Sequence, residues 1–433
     1  MANGQWQMTN RILMRIRYKM LLIIVTLLIL GMITTGVILY GMGYRLDSKV
    51  GLTGTGLLVV TSQPDGAEVW INDRLTTATN NTINLFPGEY KVRISKEGYF
   101  PWEKNIKVTK EEVSKADALL FPKAPKLDSI TANGVLSPVI DPSQTRIVYN
   151  VASQSATLKN GVYVLDMRNR LVLTLQGNSS QIVNDTIAPF SESHLSWSPD
   201  STELIASISA NGLQGYYLLN SDSFNNTPQD VTVTLPTVQE TWAVDTTKEQ
   251  TARLSTLKKG VRSMLNKFDI IAWSPDGTKI LYQASDSATL PIVITPRLIG
   301  ANSTQETRSI QTGKTYVYDI KEDKNYEITV DEPIIEPTPT PATDAIASEE
   351  DPTPPVEKAP RALRWFADST HLIYVHNKRI DIMDFDGVNR TTVYAGPFIG
   401  NTVYSWPDSS KIVILTDLGN PSILPNLYTI SVK

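Results

Sequence analysis

The chain has 433 residues, room for two or three domains, with 41% apolar residues and a formal net charge of −4. Residues 1–44 carry +4 from Arg11, Arg15, Arg17 and Lys19, so the rest carries −8; that balance does not suggest nucleic-acid binding, which usually needs a basic face. The absence of cysteine excludes disulfides, thiolate metal sites and cysteine nucleophiles.

In chain order the first element is apolar. No residue from Met20 to Tyr44 is charged. The run from Met20 to Tyr40 matches a hydrocarbon core of about 30 Å at about 1.5 Å per residue. A globular helix of that length would show a polar face. A cleaved signal peptide would have a shorter apolar region, about 7–15 residues, and a small-x-small cleavage site. Here the exit reads Tyr40-Gly41-Met42-Gly43-Tyr44-Arg45. Residues 20–44 therefore read as an uncleaved transmembrane signal anchor. Four basic residues precede it against Arg45 and Lys49 after it, which puts residues 1–19 in the cytoplasm and the body outside. Tyr18, Tyr40 and Tyr44 fall near the two interfaces.

Residues 51–56 (GLTGTG) read as a short flexible spacer. Beyond it Leu58, Val60, Val69 and Ile71 alternate with polar neighbours, the period of a half-buried strand. Turns at Pro64-Asp65-Gly66-Ala67, Phe86-Pro87-Gly88-Glu89 and Lys96-Glu97-Gly98-Tyr99 punctuate further strands through Tyr90, Val92, Ile94, Trp102, Ile106 and Val108. Short strands so regularly interrupted predict a small β-sandwich over 57–122. The combined pattern Ser62-x-Pro64-x-Gly66-Ala67-x-Val69-x-Ile71-Asn72, Leu85-x-Pro87-Gly88-x-Tyr90-x-Val92-x-Ile94 and Lys96-x-Gly98-Tyr99 resembles the PEGA domain family. The resemblance implies a non-catalytic surface module on an extracytoplasmic protein. Trp70, Tyr99 and Trp102 are candidates for a sugar- or peptide-binding face, against the simpler reading that they are structural.

From residue 130 a repeat emerges. Leu195-Ser-Trp-Ser-Pro-Asp-Ser, Ile271-Ala-Trp-Ser-Pro-Asp-Gly, Leu363-Arg-Trp-Phe-Ala-Asp-Ser and the shortened Tyr404-Ser-Trp-Pro-Asp-Ser are four copies. Val139-Ile-Asp-Pro-Ser is a weaker fifth. Each is a strand, a turn and a returning strand, and a third strand follows in most: 161–166, 215–220, 315–319, 379–384 and 426–430. A meander this small cannot bury both faces alone, whereas stacking copies around an axis buries them. The signature resembles the TolB-like, WD-type β-propellers. The resemblance implies five or six blades over 130–433, with closure that can mix early and late strands. Asp200, Asp276, Asp368 and Asp408 are expected to accept local backbone hydrogen bonds. Asp384 and Asp386, in what looks like a blade-closing turn, are conceivable calcium ligands.

Two segments interrupt the repeats. Over 236–268, Leu254, Leu257, Val261, Met264, Leu265 and Phe268 recur at helical spacing, opposite Lys248, Arg253, Lys258, Lys259, Arg262 and Lys267. This predicts an amphipathic helical insertion whose apolar stripe packs on the propeller; the alternative is docking on anionic lipid. Residues 331–360 hold eight prolines and eight acids against one lysine and are expected to be a disordered loop.

No Gly-x-Ser-x-Gly elbow, His-Glu-x-x-His, Walker loop or dinucleotide fingerprint occurs. His194, His371 and His376 read as surface or structural residues. The expectation is therefore an all-β protein with an N-terminal transmembrane helix, no catalytic residues, no metal and no cofactor. It sits in the cell membrane, single-pass, with its body outside. Its role is that of a bacterial binding or scaffold protein engaging a protein, peptide or cell-envelope polymer through the propeller, with no nucleic acid. The alternative is an envelope glycan- or peptide-cleaving enzyme acting from the propeller funnel.

Overall fold

The computed structural model describes residues 2–47, 51–153, 159–168, 179–210, 212–330 and 362–433. The chain forms two compact units. The first takes in Met1–Ile94, Glu103–Ala118 and Ile299–Ser303, and the second Ser95–Trp102, Leu119–Leu298 and Thr304–Lys433. The acidic, proline-rich stretch 331–360 lies outside the described residues.

In the first unit the uncharged run folds into one helix, α1 (Ala2–Gly41). Its portion Arg17–Gly41 is 25 residues long, apolar enough to cross a bilayer, and not buried anywhere. At about 1.5 Å per residue it would reach across about 37 Å. Its hydroxyls do not spoil the apolar surface: Thr26, Thr34 and Thr35 each donate to the carbonyl four residues back, all at 2.8 Å. After α1 the expected spacer is partly a hairpin. Gly51–Gly54 pairs antiparallel with Tyr44–Asp47. Gly43, at φ +86°, lies between the helix and this hairpin, and the Thr55 N–H and hydroxyl both bond its carbonyl, at 3.0 and 2.6 Å. The glycine-rich composition suggested flexibility, but here ladder bonds to the preceding residues order it.

Seven strands follow in two sheets. One has the order Asn81–Leu85, Gly56–Gln63, Val113–Leu119; the other Arg74–Ala78, Glu68–Ile71, Gly88–Ser95, Trp102–Val108. Alternate residues Leu58, Val60, Val69, Val92, Ile94, Ile106 and Val108 are buried, as the period-two pattern predicts. Gly56 is obligatory: a Cβ there would meet the Thr109 carbonyl oxygen at 2.3 Å.

Among its described residues the second unit holds five four-stranded antiparallel sheets, first to fifth in chain order. The first runs Leu136–Ile140, Arg146–Val151, Gly161–Asp166, Ser179–Asn184; the second His194–Trp197, Glu203–Ala210, Leu213–Asn220, Gln229–Asp230. The third runs Asp269–Trp273, Lys279–Gln283, Thr315–Asp319, Lys324–Ile328; the fourth Leu363–Trp365, His371–His376, Arg379–Asp384, Thr391–Ala395. The fifth has three late strands, Val403–Ser405, Lys411–Thr416 and Asn426–Ser431, and takes its outer strand, Leu127–Ser129, from the start of the unit. This outer strand precedes residue 130, where the repeat was expected to begin. Each repeat supplies strands one to three as expected; the fourth strands carry no signature.

Successive sheets pack face to face, as in a β-propeller. Ile373 and Ile382 of the fourth sheet pack with Ile412, Ile414 and Ile430 of the fifth. The other face of the fifth, through Val413 and Leu427, meets Ile147 and Tyr149 of the first. Val148 and Val162 of the first meet Leu204 and Ala206 of the second. Leu281 and Val317 of the third meet Trp365 and Leu372 of the fourth. Each such fully buried side chain contributes about 1.5–3 kcal/mol.

The remaining junction, between second and third sheets, is built differently. The connection contains two helices, α2 (Leu235–Ser255) and α3 (Lys259–Leu265), rather than one. Leu257, Val261, Leu265 and Phe268 pack on Ile280, Tyr282, Tyr316 and Tyr318 of the third sheet. Leu235, with Val238 and Trp242, packs on Ile205, Tyr216 and Leu218 of the second. The apolar stripe therefore packs on the propeller, but two stripes serve two sheets, which one straight helix could not do. Arg262 spans the break, donating to the carbonyls of Ser255 and Leu257 at 2.7 and 2.8 Å.

Candidate functional surface

The antiparallel order divides the propeller's connections between two faces. Strands one to two and three to four are joined on one face, and strands two to three and successive sheets on the other. The first face carries the tryptophan turns. Their acids are consumed in building them. Asp200 accepts from the Ser198 hydroxyl at 2.6 Å and the Thr202 N–H at 3.1 Å. Asp276 repeats this with Ser274 and Thr278, at 2.7 and 3.0 Å, and Asp408 accepts from Ser410 N–H at 2.8 Å. These bonds hold Asp200 below the ordinary carboxylate range; for Asp276 burial opposes them and is outweighed. The position after the turn is left-handed in all five copies: Gln144, Ser201, Gly277, Ser369 and Ser409 have φ between 57° and 68°.

The first strands also latch neighbouring sheets to one another. Trp197 Nε1 donates to the Val139 carbonyl of the first sheet, and Trp365 Nε1 to the Ala272 carbonyl of the third, each at 3.2 Å. The Tyr404 hydroxyl donates to the Pro138 carbonyl at 3.0 Å, and Arg364 to the Val403 carbonyl at 2.5 Å. In two of the copies the repeated tryptophan is thus an inter-sheet donor.

His371 is buried in the fourth sheet between Asp368, at 2.6 Å, and Asp384, at 3.3 Å. Burial alone would lower its pKa, but the bonds and charges of Asp368 and then Asp384 outweigh it and lift it to about 10. Asp384 also accepts from Trp102 Nε1 at 3.1 Å and Asn389 at 3.0 Å. Asp386 accepts from the Thr304 hydroxyl at 2.6 Å. Asp384 and Asp386 are therefore engaged by protein donors, and among the described residues no group of His, Asp or Glu is arranged to hold a metal ion. His376 bonds Asp381 at 2.8 Å, which also accepts from Arg390 at 2.6 Å. His194 is exposed at the start of its strand. Trp70 and Trp102 do not share a surface role. Trp70 lies in the first unit under the Arg93 guanidinium, 4.8 Å from the ring centre, whereas Trp102 is buried in the second unit, with half-buried Tyr99 in the same segment.

The other face carries the long connections. Exposed aliphatic side chains of the second unit collect there: Leu136, Ile187, Leu213, Ile292, Ile399, Leu418, Ile423 and Leu424, while Phe224 is on the turn face. Three of these connections touch. The Thr416 hydroxyl donates to the Pro397 carbonyl at 2.7 Å, and Ile399 N–H to the Leu415 carbonyl at 2.8 Å. A Cβ on Gly134 would meet Leu424 at 3.0 Å. Ile399, Leu418, Leu424 and Leu136 thus lie exposed on or beside connections that touch one another. No repeat signature marks them, because each lies in a different, irregular connection.

The PEGA domain model matches residues 55–123. The chain is similar to a candidate TolB from Agrobacterium tumefaciens, at 12% identity over 85% of this chain and 81% of that one, with a TM-score of 0.20. It is also similar to TolB from Acinetobacter baumannii, at 13% identity over 79% of this chain and 60% of that one, with a TM-score of 0.22. The β-propeller domain of the Trilobed protease from Pyrococcus furiosus matches at 11% identity over 87% of this chain and 96% of that one, with a TM-score of 0.21. No curated protein matches the chain.

Proposed function

We propose that this chain is a membrane-anchored, extracytoplasmic binding or scaffold protein without catalytic activity. Its partner is a protein or cell-envelope polymer, engaged through the propeller face that carries the long connections. α1 is the anchor, crossing once with its basic end in the cytoplasm. The observation carrying this reading is the concentration of exposed aliphatic side chains on that face, with Ile399, Leu418 and Leu424 on neighbouring connections, because exposed apolar side chains gathered on one face mark interaction sites. On the opposite face the carboxylates described above are held by turn donors, by His371 or by Arg390, which leaves them ill-suited to acid–base work. Capture of partners by the solubilised full-length protein should fall at least tenfold with the pair Leu418→Asp and Leu424→Asp, with the melting temperature unchanged. Undiminished capture, or glycan or peptide cleavage by the purified protein, would refute the proposal.

A further inference from the structure

We infer that the propeller opens at the junction between its second and third sheets, where α2 and α3 act as a clasp fastened firmly on one side and weakly on the other. Four junctions are made by sheets packing directly on one another. At this one, the buried cluster on the second sheet and the buried cluster on the third share no residue among those described. The helices stand between two apolar sheet faces that elsewhere would meet.

The two attachments are unequal. On the third sheet, Leu257, Val261, Leu265 and Phe268 are all buried, and a Cβ on Gly260 would come within 3.1 Å of Pro291. On the second sheet only Leu235 of α2 is fully buried, Val238 and Trp242 being half-buried. Most of α2 beyond Trp242 is exposed, as is Val233 just before the helix. The second sheet is also the least extended at its outer edge, its fourth strand being the two residues Gln229–Asp230. Local opening follows the boundary with fewest buried apolar contacts. The clasp therefore releases from Ile205, Tyr216 and Leu218 and stays with the third sheet. Opening uncovers one apolar sheet face and leaves the other four junctions intact.

The chain has no cysteine, so a single introduced thiol reports accessibility cleanly. In full-length protein in detergent, Ile205→Cys should be alkylated at least ten times faster than Val413→Cys, which is buried between the fifth and first sheets. Adding Trp242→Ala should raise the first rate about tenfold and leave the second unchanged. Amide exchange on the unmutated chain, with faster exchange in 204–207 and 215–218 than in 147–150 and 411–415, tests the same point without a core substitution. Equal alkylation at the two sites, a Trp242→Ala effect of equal size on both, or equal exchange in all four segments overturns the inference.

Discussion

Two junctions of the propeller invite comparison: the fifth sheet, where the first and last strands of the unit meet, and the gap between second and third sheets, which the chain crosses without a break. The fifth sheet is the covalent seam, yet it is packed on both faces and latched on both sides by Arg364 and Tyr404. The second-to-third junction is covalently continuous but filled by helices that divide between two separate clusters. Connectivity and cohesion are thus separate properties. A ladder of hydrogen bonds with two buried faces outweighs the loss of a peptide link, while a long insertion loosens sheets that the backbone joins.

The strongest way to break the well-packed side is at His371. His371→Ala leaves Asp368 and Asp384 buried without their cation, which costs about 3–5 kcal/mol; thermal melting measures it. The sign with pH follows from the raised pKa. The contribution of His371 is complete below about 6.5, its ordinary value, and is lost as pH rises toward about 10. The native protein should therefore lose melting temperature between pH 6.5 and 9.5, and His371→Gln should flatten that slope.

Next come two cavities of similar size in opposite settings. Ile414→Ala, in the fully buried fifth sheet, should cost about 2–5 kcal/mol and speed amide exchange in the fourth and fifth sheets together. Leu265→Ala on α3 should cost about as much locally, but the faster exchange should stay within 257–268 and the facing strands 280–282 and 316–318. If both spread equally, the distinction between the junctions is wrong. Gly56→Ala, in the first unit, should cost about 1–3 kcal/mol because its Cβ collides with backbone, with no effect on exchange in the propeller.

The smallest effects belong to the turns. A left-handed residue other than glycine costs about 1–2 kcal/mol. Ser409→Gly, in the fifth sheet's turn at φ 59°, should raise stability by up to about 1 kcal/mol. Gly277→Ala, at φ 68° with open space around it, should lower it by a similar amount. Denaturant midpoints resolve both.

Much of this was legible because strong local signals coincide with structure. The tryptophan turns, the third strands, α1 and the stripe from Leu254 to Phe268 each combine a period with a breaker. The fourth strands escaped because Gln229–Asp230 and Leu127–Ser129 are two and three residues long, too short for any period to register. The hairpin Tyr44–Gly54 escaped because its glycines read as a spacer. The gathering of Ile399, Leu418 and Leu424 was invisible, since it exists only when separate connections are brought to one face. The roles of Asp384 and Asp386 depended on Trp102, Asn389 and Thr304, of which only Asn389 is near in sequence.

The strand Leu127–Ser129 has a consequence for synthesis. Chains emerge from the ribosome in order, so this segment waits for its partner Asn426–Ser431 until about 300 further residues have been made. A ribosome that stalls before residue 426 would release a product with two unpaired edges in the same sheet, a template for aggregation. Synthesis of Asn426–Ser431, rather than any earlier step, is what joins the first strand of this sheet to its neighbours.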